Sequence, residues 1–152
     1  MLNYSIRVHS IMVPIEGNSL ILPNANVAEV IQYIKPEPVK GTPDWMLGFI
    51  KWRELKIPLV LFESLIGSKL PDQKGVKWIM VINSLSGKLD MPFFSLVAQG
   101  RPRLVQVDES VVIPMDRAEE KGVLKHVHVH GDQAIIPDPD CIETMLRALS
   151  GK

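Results

Sequence analysis

Short apolar segments alternate with turn residues along almost the whole chain. The chain has ten glycines and twelve prolines at short intervals, and most of them lie between these segments, which leaves the segments too short for most helices. The segments are rich in β-branched and aliphatic residues, which favour strands. This pattern predicts ten strands, at residues 6–15, 19–22, 30–35, 47–53, 56–61, 76–82, 91–98, 103–107, 124–130 and 134–136. Tight turns are predicted at 16–18 and 131–133, and a longer hairpin loop at 84–88.

Only the C-terminal segment predicts a full helix. Its apolar residues recur at helical spacing and share one face: Cys141, Ile142, Met145, Leu146 and Leu149. Asp138 is a good N-cap, Pro139 suits the first helical position, and Gly151 suits the exit. Single helical turns are expected at residues 43–46 and 62–66. The chain is therefore predicted to be all-β with a short C-terminal helix.

A polar stretch at residues 68–75, which contains Pro71 and Gly75, divides the chain nearly in half. Each half would then contain about five strands, the number that closes a small barrel. We therefore expect a single domain over residues 1–152, built from two barrel subdomains that divide near 68–75.

Charge and composition exclude several classes of protein. The 17 basic and 17 acidic residues give a formal net charge of zero, which does not favour a nucleic-acid partner. The longest stretch without a charged residue, 17–28, is too short to span a bilayer, and no signal peptide is recognisable. One cysteine, Cys141, excludes an internal disulfide and a multi-cysteine metal site. The composition indicates a cytoplasmic protein without direct membrane insertion.

No motif indicates catalysis. The sequence contains neither the Gly-x-Ser-x-Gly of a nucleophile elbow nor a phosphate-binding loop. The acidic pairs Asp138/Asp140 and Asp108/Glu109 occupy turn and cap positions. We therefore expect a protein that is not an enzyme and that binds no cofactor.

One strand carries three histidines that invite a metal hypothesis. Strand alternation places His126, His128 and His130 on one face and Val127 and Val129 on the other. Neighbouring side chains on one face are about 6.8 Å apart, so two of these imidazoles could chelate one ion. The third lies too far along the strand, and His9 is remote in sequence. A solvated or groove-facing strand is the preferred interpretation, and a metal-binding sensor or metal-dependent enzyme is the alternative.

The stretch 42–67 carries the most informative pattern in the sequence. It resembles the CheW family, the coupling proteins of bacterial chemosensory arrays. The residues that match the family pattern are Pro43, Gly48, Arg53, Ile57, Pro58, Leu59, Val60, Leu65 and Gly67. Residues 27–30 resemble the family's Val-x-Glu-Ile segment, and the segments 78–82, 87–98 and 131–136 follow in the family's order. The resemblance covers about residues 8–149.

The sequence also departs from the family signature Asn-Leu-Arg-Gly. Lys51, Trp52 and Glu54 replace its Asn, Leu and Gly. Gln99 and Arg101 stand where the family usually has Asp-Gly followed by an apolar residue. These changes indicate a divergent member, similar to the accessory CheW-like proteins of pilus (twitching-motility) chemosensory systems.

The resemblance implies a fold, two partners and a site. The fold would be two intertwined five-stranded SH3-like barrels without catalytic activity. One barrel would dock on a CheA-type histidine kinase, and the groove between the barrels would contact the tip of a methyl-accepting chemoreceptor. The residues that carry over are Trp52, Arg53, Leu55 and Ile57 on the kinase side, and Val27 and Glu29 on the receptor side.

Four alternatives on the site and the partners remain open at this point. Val27 could be a core residue and Glu29 a solvated side chain, rather than receptor contacts. Trp52 and Leu55 are interpreted as exposed, but strand alternation is equally compatible with Trp52 in the barrel core. Arg53 is interpreted as a partner contact, but it could instead pair internally with Glu54 or Glu63. A module that only forms rings or oligomers would differ from the adaptor in its partner alone.

Overall fold

The computed structural model describes residues 8–67, 75–84, 92–108, 112–115 and 121–150. Eleven strands lie within these residues: β1 (Val8–Ile15), β2 (Asn18–Pro23), β3 (Val27–Gln32), β4 (Met46–Trp52), β5 (Leu55–Val60), β6 (Trp78–Asn83), β7 (Phe93–Ala98), β8 (Arg103–Val107), β9 (Val112–Pro114), β10 (Val123–Val129) and β11 (Asp132–Pro137). Two α-helices, α1 (Phe62–Leu65) and α2 (Pro139–Ser150), and a single 3₁₀ turn at Asn24–Asn26 complete the described elements.

All ten predicted strands are present, with their ends shifted by a few residues. The largest shift is at β3, which begins at Val27 rather than at residue 30 and contains a register irregularity between Val27 and Glu29. Strand β9 was not predicted, because three residues are too few to show a periodic pattern. Residues 43–46 were expected to be helical and form only a turn, in which the Met46 N–H donates to the Pro43 carbonyl at 3.0 Å. The expected loop at 84–88 falls almost entirely outside the described residues.

The strands form two sheets that confirm the predicted all-β, double-barrel fold class. The first sheet has six strands in the order β8-β1-β2-β11-β10-β9, and the second has five in the order β3-β6-β7-β5-β4. Most neighbours are antiparallel, whereas β2 pairs with β11 and β5 pairs with β7 in parallel. Since the first sheet takes β1 and β2 from one end of the chain and β8–β11 from the other, the two barrels are intertwined.

The boundary between the two sheets does not fall at residues 68–75. The strands on either side of that stretch, β5 and β6, both belong to the second sheet. The chain instead changes sheet between β2 and β3, and again between β7 and β8. Polar composition alone does not distinguish a connection between two strands of one sheet from a boundary between subdomains.

Buried apolar side chains form one core cluster shared by both sheets and one further cluster in each sheet. The shared cluster contains Ile11 and Leu20 of the first sheet, Met80 and Phe94 of the second, and Ile142 of α2. Adjacent residues such as Ile11 and Met12 belong to different clusters, so parts of the sheets are buried on both faces. This explains why many strands read as continuous apolar runs rather than as strict alternation.

Helix α2 begins and packs as its sequence predicts. The Cys141 N–H donates to the Asp138 Oδ1 at 3.3 Å, which identifies Asp138 as the N-cap. Ile142 and Leu146 are buried against the shared core cluster. Among the described residues, no helix is both long and apolar enough to cross a bilayer.

Candidate partner-binding site

The hairpin between β4 and β5 places the family signature at an exposed tip. Trp52 pairs with Leu55 as the last residues of the ladder, so Arg53 and Glu54 form a two-residue loop. Both loop residues have positive φ angles, 46° and 65°, as a type I′ turn requires. The prediction that Arg53 lies at the turn is therefore confirmed. Glu54 holds a left-handed conformation at the position where the family signature has glycine.

Residues predicted for the kinase side and the receptor side are hydrogen-bonded to each other through one carboxylate oxygen of Glu29. The Trp52 Nε1–H donates to the Glu29 Oε1 at 2.9 Å, and the Arg53 Nη2 donates to the same oxygen at 3.4 Å. Glu29 lies on β3 and Trp52 on β4, which are the two edge strands of the five-stranded sheet. These bonds therefore join the edges of that sheet and close the barrel. The internal partner of Arg53 is Glu29 rather than Glu54 or Glu63.

Trp52 is a core residue, and its interpretation as an exposed side chain is wrong. Only 6% of Trp52 is exposed. Its ring meets Phe93 edge to face, with centroids 4.8 Å apart and an interplanar angle of 69°. The Arg53 guanidinium carbon lies over the indole, 4.6 Å from its centroid. The indole therefore contacts both an aromatic ring and a cation.

The other predicted site residues differ in their access to solvent. Ile57 is buried in the same cluster as Trp52, whereas 39% of Leu55 is exposed. On the receptor side, Val27 is half-buried against the shared core cluster, and Glu29 is exposed. Direct contact with a partner is thus open to Arg53, Leu55 and Glu29 without rearrangement of the core.

A groove of about 270 Å³ lies between the two sheets beside this cluster. Ile11 and Leu104 line it from the first sheet, and Val30 and Trp78 line it from the second. The Arg101 guanidinium carbon lies 5.8 Å from the centroid of the Trp78 ring at the same place. A second, shallower groove of about 770 Å³ shares Val30 and Trp78 and runs along β3 to Trp52 and Arg53.

Sequence reasoning did not identify these groove residues. Leu104 is 71% exposed on β8, which is an edge strand of the first sheet. Arg103 before it and Gln106 two residues after it are also exposed, and a large apolar residue on the polar part of an edge strand is the signal that the sequence offers. In the sequence, Arg101 stands out only as a departure from the family pattern.

The three histidines do not share one strand face. Val127 and Val129 are buried in the core cluster of the first sheet, as alternation predicts. His126 is buried and His128 is half-buried, but β10 ends at Val129. His130 lies in the following turn with a φ of 51°, so the prediction is wrong for this residue. Within the described ranges, no group of three or more His, Cys, Asp or Glu residues is placed to hold a metal ion.

Two intertwined barrels with an exposed hairpin tip and a groove between the sheets define a double-barrel scaffold. The sequence pattern of the CheW-like domain matches residues 9–144. The chain therefore belongs to the CheW-like family, whose fold is that of chemosensory scaffold proteins. A sequence comparison with curated proteins gives no match.

Among solved structures, the chain is similar to the scaffolding protein TtCheW from Thermoanaerobacter tengcongensis. The TM-score is 0.73 at 15% sequence identity, and the match covers 88% of this chain and 90% of that one. At this identity the likeness establishes the shared fold. It agrees with the double-barrel architecture that the strand pattern predicts.

Proposed function

We propose that this protein is a non-enzymatic adaptor that couples a methyl-accepting chemoreceptor to a CheA-type histidine kinase in a chemosensory array. The observation that carries the proposal is the cluster of Glu29, Trp52 and Arg53. It contains the one polar residue of the family signature that this chain retains, Arg53, and it lies at the hairpin tip beside the groove. Membership of the CheW-like family supports the same function.

The kinase-side surface is the tip of the β4–β5 hairpin. The Arg53 side chain is 68% exposed although it contacts Glu29, so its guanidinium remains accessible to a partner carboxylate. Leu55 supplies an exposed apolar contact next to it. Trp52 and Ile57 lie beneath these residues and fix the hairpin rather than touch the kinase.

The receptor-side surface is the groove between the sheets together with the second groove along β3. Glu29 lines the second groove. The walls of the groove between the sheets combine apolar side chains, Ile11, Val30 and Leu104, with the Trp78–Arg101 stack. This mixture suits an amphipathic helix, which places apolar residues in a groove and polar residues at its rim. Val27 packs against the shared core cluster and so anchors β3 to the core.

The departures from the family signature support assignment to a pilus-type system. Lys51, Trp52 and Glu54 change the hairpin, and Arg101 changes the groove, so both proposed surfaces differ from the usual family pattern. Deletion of the gene in the native cell should abolish twitching on a surface and leave swimming unaffected. Loss of swimming with normal twitching would contradict this assignment.

Binding of the purified protein to each partner tests the proposed function. We expect the wild-type protein to bind both the regulatory domain of the kinase and a soluble receptor-tip fragment. Glu29→Lys should weaken receptor binding and leave kinase binding in place. Because this change also removes the acceptor of the buried Trp52 N–H, we expect it to lower the free energy of unfolding by about 1–3 kcal/mol, and thermal melting must show that the variant is folded.

The second exposed ion pair of the same sheet region provides a matched control. Lys56 Nζ lies 3.8 Å from the Glu37 Oε2, with both side chains more than 70% exposed. Glu37→Lys therefore makes the same charge change without touching the cluster at Glu29. Equal effects of the two variants on receptor binding would remove Glu29 from the site, and a wild-type protein that binds neither partner would refute the function.

A further inference from the structure

We propose that Trp52 is a positioning residue for Glu29, and that it prepares the second carboxylate oxygen of Glu29 to accept a hydrogen bond from a donor side chain of the receptor. This proposal rests on the proposed function and deepens its receptor-side site. It concerns a residue at which the chain departs from the family signature, where leucine is usual. A leucine side chain has no hydrogen-bond donor.

The two oxygens of the Glu29 carboxylate have different surroundings. Oε1 accepts the bonds from Trp52 Nε1 and Arg53 Nη2. Oε2 accepts no hydrogen bond in the part of the chain that the structure describes, and the side chain remains 42% exposed. A carboxylate oxygen can accept from more than one donor, so Oε2 is open to a donor outside the protein.

The indole is a rigid anchor for this arrangement. Trp52 is almost fully buried, and Phe93 packs against its ring edge to face. The direction of its N–H is therefore set by the core of the barrel. A carboxylate held by such a donor loses less freedom when a partner binds, and this preorganisation strengthens binding without adding a contact.

Arg53 cannot supply the same restraint. Its bond to Glu29 is 3.4 Å long, whereas the bond from Trp52 is 2.9 Å long, and both side chains of the Arg53–Glu29 pair are exposed to solvent. Exposed ion pairs hold their side chains weakly. Arg53 itself stacks on the indole at 4.6 Å, so Trp52 restrains both members of the pair.

A double-mutant cycle separates positioning from a purely structural role. Trp52→Phe keeps an aromatic ring in the core but removes the N–H donor together with part of the ring volume, and the Glu29→Ala background separates these two effects. We expect it to weaken binding of the receptor-tip fragment about tenfold, equivalent to about 1.4 kcal/mol. In a Glu29→Ala background the same change should have no further effect, because residues that act through one another are not additive. Trp45→Phe makes the same change at a half-buried tryptophan that packs on the shared core cluster, and this control should bind normally.

A second measurement does not depend on a partner. Hydrogen exchange of the Trp52 indole N–H, followed by NMR, should be slow in the wild type and markedly faster in Glu29→Ala. Exchange at an equal rate in both proteins would overturn the positioning role. So would wild-type receptor affinity in a folded Trp52→Phe protein, or an equal loss in the Glu29→Ala background. If the wild type binds no receptor fragment, the proposed function fails and the exchange measurement still decides the role of Trp52.

Discussion

Gly48 of β4 lies so close to the carbonyl group of Glu37 that the position has no room for a Cβ atom. The Glu37 N–H donates to the Phe49 carbonyl at 2.8 Å, and the Phe49 N–H donates to the Glu37 carbonyl at 3.0 Å. Strand β4 is an edge strand of the second sheet, and this backbone bridge covers part of its edge. An uncovered edge is a template for pairing with other chains, so Gly48 permits a protective contact.

Gly48→Ala should lower the free energy of unfolding by about 3 kcal/mol or more, because the new Cβ must displace backbone atoms and the φ of 138° is strained for alanine. Thermal melting measures this loss. Gly41→Ala is the control: its φ is 80° but the space around it is open, so only the backbone conformation contributes, at about 1 kcal/mol. Equal losses in the two variants would show that the contact with Glu37 is unimportant.

Glu54→Gly should stabilise the protein by about 0.5–1 kcal/mol, because glycine adopts the φ of 65° without the steric cost of a Cβ. The melting temperature would rise by about 1–4 °C for a chain of this size. Glu54→Ala removes the same charge and keeps the Cβ, so it should give no such gain. A gain of the same size in both variants would assign the effect to the charge.

Arg53→Ala should weaken binding of the kinase regulatory domain at least about tenfold, since a truncated interface arginine often costs about 2 kcal/mol. The free energy of unfolding should change by less than about 1 kcal/mol, because the contact with Glu29 is exposed. Titration calorimetry and thermal melting measure the two quantities. Lys56→Ala, which removes a neighbouring exposed cation, should leave kinase binding intact. Wild-type affinity in folded Arg53→Ala would exclude this residue from the interface.

Leu104→Ala should weaken binding of the receptor-tip fragment several-fold while stability changes by less than about 0.5 kcal/mol, since the side chain is mostly in solvent. Leu124→Ala is matched in chemistry, exposure and sheet, but Leu124 does not line the groove between the sheets. It should bind the fragment normally. A parallel loss in both variants would point to a general effect of surface leucines.

Addition of EDTA should leave the melting temperature unchanged. His126 and His128 lie on β10, but His130 lies in the turn beyond it, so the three imidazoles do not converge on one ion. Differential scanning fluorimetry on protein without a purification tag checks this expectation. A fall of several degrees that zinc restores would revive the metal-binding alternative.

The strands and the C-terminal helix were predictable because their signals are local. Gly17 and Gly131 mark hairpin turns, and Asp138 marks the start of α2, from patterns that span only a few residues. Sheet membership was not predictable in this way. Periodicity identifies a strand but not its neighbour, and the parallel pairs β2–β11 and β5–β7 join strands that are distant along the chain.

The sequence predicts which residues belong to the site, but it does not predict that the two sets contact each other. The family resemblance assigns these residues to two separate partners: Trp52, Arg53, Leu55 and Ile57 to the kinase, and Val27 and Glu29 to the receptor. The bond from Trp52 to Glu29 forms only when the two edges of the sheet meet, and alternation within β4 cannot show this. For the same reason, the burial of Trp52 could not be decided from the strand pattern alone.

The pairing of β2 with β11 has a consequence for how the protein folds. The Leu20–Ile135 register requires segments from opposite ends of the chain to find each other, and such long-range parallel pairing is slow. On the ribosome, the β1–β2 hairpin cannot complete its sheet until β11 has emerged. The second sheet, which contains strands β3 to β7, can assemble earlier. Domains in which early segments wait for late ones expose unpaired strand edges during synthesis. We therefore expect the first barrel to be the last part of the protein to become protease-resistant during translation.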